Sequence, residues 1–336
     1  GATLLGAGAT LAAAQSGAPA ADPSDATVEP LRLSATIEGR RALIELRDQS
    51  RETARETIQA AFLAMQETLR ALDSDATQGG LADLNAAAGK GPRQIDPELF
   101  AVLQKTIGFC NWSRGAHGPL AAELYEVWQG SSLPPTGESL VTPIRAAGCQ
   151  TLQLLPDTLQ ASLAAGSRID LSHFVNGLAV DRAVDRLQDL GGKNLWVQLD
   201  SVTRAHGEGA DGRGWIYSMP QFAGMSESLE PVRLNDTAIA AVSAHRDRLR
   251  FGDVSSAPFL DQRTGQPASG VIGLLVATPL AADAQALATT MVILGNREGS
   301  LRLSNVEAAP AALWLLGDGT GEPLLNTYKW STLGTR

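Results

Sequence analysis

Three short stretches of the chain gather side chains able to handle a charged substrate. They are Asp170-Leu171-Ser172-His173 running on to Asp181, Asp261-Gln262-Arg263-Thr264-Gly265, and Asp283-Ala284-Gln285 with Thr289 one turn later. Carboxylates, hydroxyls and a guanidinium are the groups that hold a divalent ion or steady a phosphate. Each stretch also has a plain structural reading. Asp181 with Arg182 and Asp185 makes a surface salt-bridge face, Asp261-x-Arg263-Thr264-Gly265 makes a turn unaided, and Thr289 in an apolar helix bonds a carbonyl of the preceding turn. The histidines His117, His173, His206 and His245 are far apart and lack zinc-like spacing. His173 reads as solvent-facing or satisfied in the core, with a new functional role as the alternative. There is no G-x-S-x-G elbow, P-loop or H-E-x-x-H. A Ser/His/Asp triad needs no proximity in sequence, and nothing points to one.

The elements that must position these residues follow from periodicity. Apolar and polar residues alternate over 31–48 about Gly39-Arg40, which predicts a hairpin. Ile58, Ala61, Phe62, Met65, Leu69 and Leu72 recur at three and four, which predicts a helix over 51–72. A loop with a short helix at Leu81–Asn85 precedes a second helix opened by Pro97. A third helix is expected over 120–128, then a Pro-rich connection over 130–148. Leu152, Leu154 and Ile169, Leu171 suggest short strands. Helix 178–190 stops at Gly191-Gly192. Strands follow at 195–199, 215–217, 239–242, 271–277 and 312–316, with an apolar helix over 280–295. The expected class is α+β (mixed α/β) in one large domain.

The chain has 336 residues, 44% hydrophobic and 19% charged, enough for a sizeable core. Its net charge of −9 and scattered basic residues exclude a nucleic-acid partner. Residues 1–22 read as the remnant of a secretory signal or an N-terminal anchor, with a flexible Ala-rich tail as the plain alternative. Residues 23–30 read as a linker, 31–330 as the domain and 331–336 as a tail. A periplasmic location, or one on the exported side of a membrane, follows from that reading. Cys110 and Cys149 allow either a disulfide or two separately buried thiols.

Several segments, in order, resemble the ApbE-type flavin transferase family. Residues 170–181 resemble its D-L-G-G-I-A-K-G-Y-A-V-D, keeping Asp170, Leu171, Gly177, Ala179, Val180 and Asp181. Asp261–Pro267 resembles D-P-R-T-G-x-P, and Gln285–Gly295 resembles D-A-L-A-T-A-L-F-V-L-G. Upstream, Leu81–Asn85 resembles the S-x-(I/L)-x-x-L-N loop, and Gly115-Ala116-His117-Gly118-Pro119 resembles G-A-F-D-P. The resemblance implies the family's fold, FAD as donor, Mg²⁺, and transfer of FMN to Thr or Ser of another exported or membrane protein. It implies cofactor-binding positions at Asp170, Gly177, Asp181, Ser243, Arg263 and Thr264. It implies metal contacts at Thr289 and Gln285, with Asp283 or Asp200 as substitutes.

The same comparison shows replacements. Gln285 stands where the motif opens with Asp, Asn176 where it has Lys, and Ser172-His173 where it has Gly-Gly. Asp200-Ser201-Val202 replaces Gly-Gly-Asp, Val242-Ser243-Ala244 replaces Thr-Ser-Gly, and the His before D-P-R-T-G is lost near Pro258. The flavin-stacking Tyr expected just before residue 77 is absent. The expected protein is therefore a catalytically degenerate family member serving as a binding or accessory part of an envelope redox assembly, with an active Mg²⁺-dependent transferase as the alternative.

Overall fold

A computed structural model of the chain describes residues 29–246, 249–251, 254–306 and 309–334. The expected signal or anchor at 1–22 lies outside these residues. Leu31–Ile37 (β1) and Arg40–Leu46 (β2) form the expected hairpin. Its turn residues Glu38 and Gly39 have φ of 47° and 76°, the left-handed pair that matches strand twist. The chain then leaves the sheet for residues 47–194. It returns as Leu195–Leu199 (β3), antiparallel to β2 with Ala42 opposite Leu199. Val202–His206 (β4), Thr237–Ser243 (β5), Val271–Thr278 (β6), Ala311–Leu316 (β7) and Leu324–Tyr328 (β8) complete one eight-stranded sheet. Every neighbouring pair is antiparallel, and the order in space is the order along the chain.

Strand periodicity sorts the two faces. Ala238, Ala240, Leu274, Val276, Ala312 and Trp314 point into the main core. Ile239, Ala241, Leu275, Ala277, Leu313 and Leu315 point the other way, under Trp215, Tyr217, Phe222 and Leu234. Both faces are covered, which explains the near-continuous apolar run of β6.

The helices are Arg51–Ala71 (α1), Gly80–Ala86 (α2), Pro97–Trp112 (α3), Ala122–Gly130 (α4), Glu138–Ala146 (α5), Val175–Asp189 (α6) and Ala281–Leu303 (α7); α4 and α5 pack a separate cluster of Leu124, Trp128, Leu140, Ala147 and Leu260, and the others cover the main core. Ser50 caps α1 through the Thr53 N–H, and Asp96 caps α3 through the Leu99 N–H at 2.8 Å. α7 is broken at Gly295, whose φ is 70°.

The structure corrects two expectations. The stretch 130–148 contains α5, opened by Gly137 and carrying Pro143 inside it; the two flanking prolines at 134–135 mask a pattern that buries Leu140, Pro143 and Ala146. Ile169–Leu171 is not a strand. Asn85 occupies the backbone of Ile169 instead, accepting its N–H at 2.8 Å and donating to its carbonyl at 3.1 Å. The strands β4 and β8 were not anticipated; their short, mixed sequences show too little alternation.

Of the two cysteine readings, the disulfide is the one present. Cys110 at the end of α3 is bonded to Cys149, with Cα atoms 5.8 Å apart. Gly118 packs on it, since a Cβ there would lie 2.5 Å from the Cys110 Cβ.

Two stability outcomes follow. At Gly177 a Cβ would meet the Ala281 carbonyl oxygen at 2.5 Å and the Ala282 Cα at 2.6 Å. Gly177→Ala is therefore expected to cost about 3 kcal/mol in urea unfolding, because backbone must move. Replacing both cysteines by serine opens a loop of 39 residues. That change should lower stability by about 4 kcal/mol on loop entropy alone, read as a lower denaturation midpoint.

Candidate functional site

The site is built around the starts of α6 and α7. α7 follows Leu280 and has no side-chain cap of its own. Asp181, on α6, provides one: its two carboxylate oxygens accept the Ala281 and Ala282 N–H groups, each at 2.9 Å. Arg204 on β4 donates to the same carboxylate at 2.8 Å. Asp181 is thus an interior group and not part of a surface face, its side chain 14% exposed. Burial pushes its carboxyl above the usual range, and the two amides and Arg204 hold it down in part. α6 also lacks a cap of its own. Gln285 of α7 supplies it, accepting the Gly177 N–H at 2.6 Å. Each helix caps the other: Ala281 and Ala282 in the first turn of α7 and Gly177 in that of α6 find their acceptors across the pair.

That exchange decides what the metal candidates can do. The Gln285 amide oxygen is engaged by Gly177. Asp283 is held by Lys105 at 2.7 Å. Asp200 sits in the β3–β4 turn with φ 49° and accepts the Arg41 N–H at 3.0 Å. Thr289 is buried in α7, and the bond to the preceding turn belongs to its neighbour, Thr290 to the Ala286 carbonyl at 2.7 Å. Among the described residues, no three of His, Cys, Asp or Glu group as a metal site. These residues do not fit a hard divalent ion such as Mg²⁺, which favours carboxylate oxygen.

Beside the N-terminus of α6 lies a cleft of about 360 Å³. Asp170 stands at its edge, accepting from the Ser74 hydroxyl at 3.1 Å and the Ser172 N–H at 2.8 Å. The Ser74 oxygen in turn accepts the Leu171 N–H at 2.9 Å. The cleft is lined by the carboxylates of Glu38, Asp73, Asp75, Glu126 and Asp170 and by the guanidinium groups of Arg40, Arg70 and Arg168. Arg70 is paired with Glu38 at 2.8 Å. Arg168 is shared among Asp75, Glu123 and Glu126. Arg40 donates to the Glu38 carbonyl at 3.1 Å. The cations of the cleft are therefore already engaged, and acids outnumber them.

Tyr125 in the cleft wall leads to an inner group of rings. His173 lies 5.5 Å from Tyr125, 5.7 Å from Phe259 and 5.6 Å from His117, centroid to centroid. His117 stacks on Phe174 at 4.9 Å and is 1% exposed. Its Nδ1 is 2.9 Å from the Thr290 hydroxyl. That hydroxyl's one proton goes to the Ala286 carbonyl, so it accepts from His117, and Nδ1 carries the proton. Nε2 then presents a bare lone pair, buried and without a partner. Burial pushes His117 well below its ordinary pKa, and His173 adds to this; burial also lowers His173, opposed by the Asp170 charge.

The 261–267 turn backs this group. Gln262 donates its backbone N–H to the Ala116 carbonyl at 3.0 Å and its side-chain amide to the Gly118 carbonyl at 2.8 Å, straddling His117. Arg263 forks onto Asp261 at 2.7 Å and reaches Glu298 at 3.3 Å, and these carboxylates hold its pKa above the usual arginine range. Trp128 donates to the Gly265 carbonyl at 2.8 Å. Thr264 accepts the Gln266 N–H at 3.2 Å, and Ser243 accepts the His245 N–H at 3.3 Å. Among the sequence-derived positions, Asp181, Gly177 and Gln285 come together at the paired helix starts. Asp170 faces the cleft, while Arg263, Thr264 and Ser243 serve local turns. Sequence reasoning did not single out Ser74, Tyr125, Phe259 or Thr290. Their signal is absent because they sit in elements far apart along the chain; of the ring group, His173 stands out as a replacement of a motif glycine and His117 as a departure from G-A-F-D-P.

Comparison with known proteins bears on this arrangement. The ApbE family model matches residues 35–313. The FAD:protein FMN transferase of Treponema pallidum (strain Nichols) is 25% identical over 265 residues, covering 71% of this chain and 71% of its own. That of Haemophilus influenzae is 23% identical over 216 residues, covering 61% and 62%. The ApbE protein of Thermotoga maritima has the same fold, with a TM-score of 0.81 at 19% identity over 92% of this chain and 100% of its own. The apo flavinyl transferase ApbE of Pseudomonas stutzeri gives 0.77 at 18% identity, over 90% and 95%.

The buried His117 makes a pH prediction. The folded chain refuses a proton that the unfolded chain binds below about pH 6.5, so stability falls as pH falls through that value. The loss attributable to His117 is about 1.4 kcal/mol per pH unit below it. In buffer with EDTA, His117→Phe should flatten that slope between pH 6 and 5, read from urea midpoints; an unchanged slope would sink the assignment.

Proposed function

This chain belongs to the ApbE family, and on that premise we propose that it is a member that no longer transfers flavin and acts as a binding or accessory component of an exported redox assembly. The observation that carries the reading is the use of Gln285. At the position where the family motif has a carboxylate, this chain has a neutral amide whose oxygen accepts the Gly177 N–H. Phosphoryl transfer from FAD needs a cation to neutralise the pyrophosphate as it is attacked. The cleft offers five lining carboxylates against three guanidinium groups, and those are engaged by Glu38, Asp75, Glu123 and Glu126 or by the Glu38 carbonyl. A dinucleotide pyrophosphate does not fit that charge balance. The lysine of the family motif is Asn176, so no cation replaces it there.

On this reading the family framework is kept for its surface and its cleft. The chain works on the exported side of a membrane, in the periplasm or held there by its N-terminal apolar segment, beside another exported or membrane protein. The active-transferase alternative rests on the names of the relatives, FAD:protein FMN transferase.

The two readings part in one assay. Purified protein is incubated with FAD, Mg²⁺ and an exported acceptor carrying the target Thr or Ser, and covalent FMN is followed by in-gel fluorescence. No transfer above the acceptor-only control is expected, with FAD titrations showing weak, Mg²⁺-independent binding at most. Sustained turnover would overturn the proposal and establish the alternative.

A further inference from the structure

We infer that His117 and His173 form a binding site for a borderline divalent transition metal, of the Zn²⁺ and Co²⁺ class, behind Tyr125 of the cleft wall. The first support is the tautomer. Thr290 fixes the His117 proton on Nδ1 and leaves Nε2 as an unpartnered buried lone pair. Metal-bound histidines carry this outer-shell bond, with one ring N–H given to an oxygen and the other nitrogen on the ion. A buried acceptor with no donor is a cost that native structures avoid unless something fills it.

The second support is distance. Two imidazoles on one tetrahedral ion, with metal–nitrogen bonds of about 2.0 Å, place their ring centroids about 5 Å apart. The centroids of His117 and His173 are 5.6 Å apart with the rings tilted at 36°, a separation that leaves room for a shared ion. Among the described residues, His173 has no hydrogen-bond partner holding either nitrogen.

The third support is the remaining donors. The side-chain oxygens of Gln262 and Asn176 are also buried and unpartnered. Gln262 bonds the Ala116 and Gly118 carbonyls on either side of His117 along the chain, which puts its amide in the neighbourhood of that residue. All three orphan atoms are acceptors, so the missing species is a donor or a Lewis acid. Imidazole nitrogen with amide oxygen suits Zn²⁺ or Co²⁺ and not Mg²⁺. The site is independent of whether flavin is transferred, since neither histidine belongs to the family motif: Phe and Gly stand at those positions in it.

The test is a titration of chelator-stripped protein with Co²⁺ in the presence of excess Mg²⁺, followed by visible absorption and calorimetry. One equivalent should bind with ligand-field bands in the visible, and Zn²⁺ should displace it. His117→Phe and His173→Gly restore the family's own residues, and each should weaken Co²⁺ binding at least tenfold with the circular dichroism spectrum unchanged. Should either variant fail to fold, proton NMR of the Co²⁺-loaded wild type decides. The Nδ1 proton of His117, shielded by Thr290, should appear as a strongly shifted exchangeable line. Absence of Co²⁺ bands in the wild type, variants that bind as the wild type does, or no shifted exchangeable line would each overturn the inference and leave ordered water as the partner of Nε2.

Discussion

Two helices that begin side by side, neither with a cap of its own, are joined by an exchange of side chains. Asp181 of α6 closes the first turn of α7, and Gln285 of α7 closes the first turn of α6. A helix start leaves several N–H groups without partners, and in an interior those groups must be met. The exchange meets them with two residues and sets the distance between the helices. It also explains Gly177: at that spacing its Cα lies against the backbone of Ala281 and Ala282, and no side chain fits. Arg204 ties the same carboxylate to the sheet, so both helices and β4 share one anchor.

The rest of the site hangs from this anchor. The loop 170–174 leads straight into α6, so the placing of α6 places Asp170 at the cleft and His173 among the rings. α7, held at its start, carries Thr290 about one and a half turns beyond Gln285 and so fixes the His117 ring. The charged outer cleft and the neutral inner group differ because of burial. Outside, carboxylates and guanidinium groups pair in reach of water, where such pairs are worth little. Inside, burial disfavours the charged form of both imidazoles, opposed at His173 by the Asp170 charge.

Much of the framework was legible in the sequence. The hairpin at Gly39, the periodic helix α1 and the Asp96-Pro97 start of α3 are local signals, and local signals survive folding. The ordered family segments gave the fold class. The helix α5 was hidden because two prolines precede it and a third sits inside it. The roles of Asp181 and Gln285 were hidden for another reason. Each looks like a surface or metal-binding residue along its own helix, and the partner that uses it lies about a hundred residues away. Reciprocal capping leaves no periodicity to read. His117 was visible only as a misfit in a motif, because its meaning depends on Thr290.

The excursion 47–194, which separates β2 from β3, carries a further consequence. The hairpin β1–β2 forms locally, and β3 to β8 follow one another, but the β2–β3 seam closes only when the whole excursion has been gathered in. Such a closure is entropically expensive and slow relative to local pairing. α1 and α6 flank the excursion and pack on each other across that seam. The cleft is walled by residues from the β1–β2 turn, α1, the loop after it, α4 and the start of α6, so it draws on both ends of the excursion that the seam gathers in. The walls of the cleft are thus brought together by long-range closure and not by any local element.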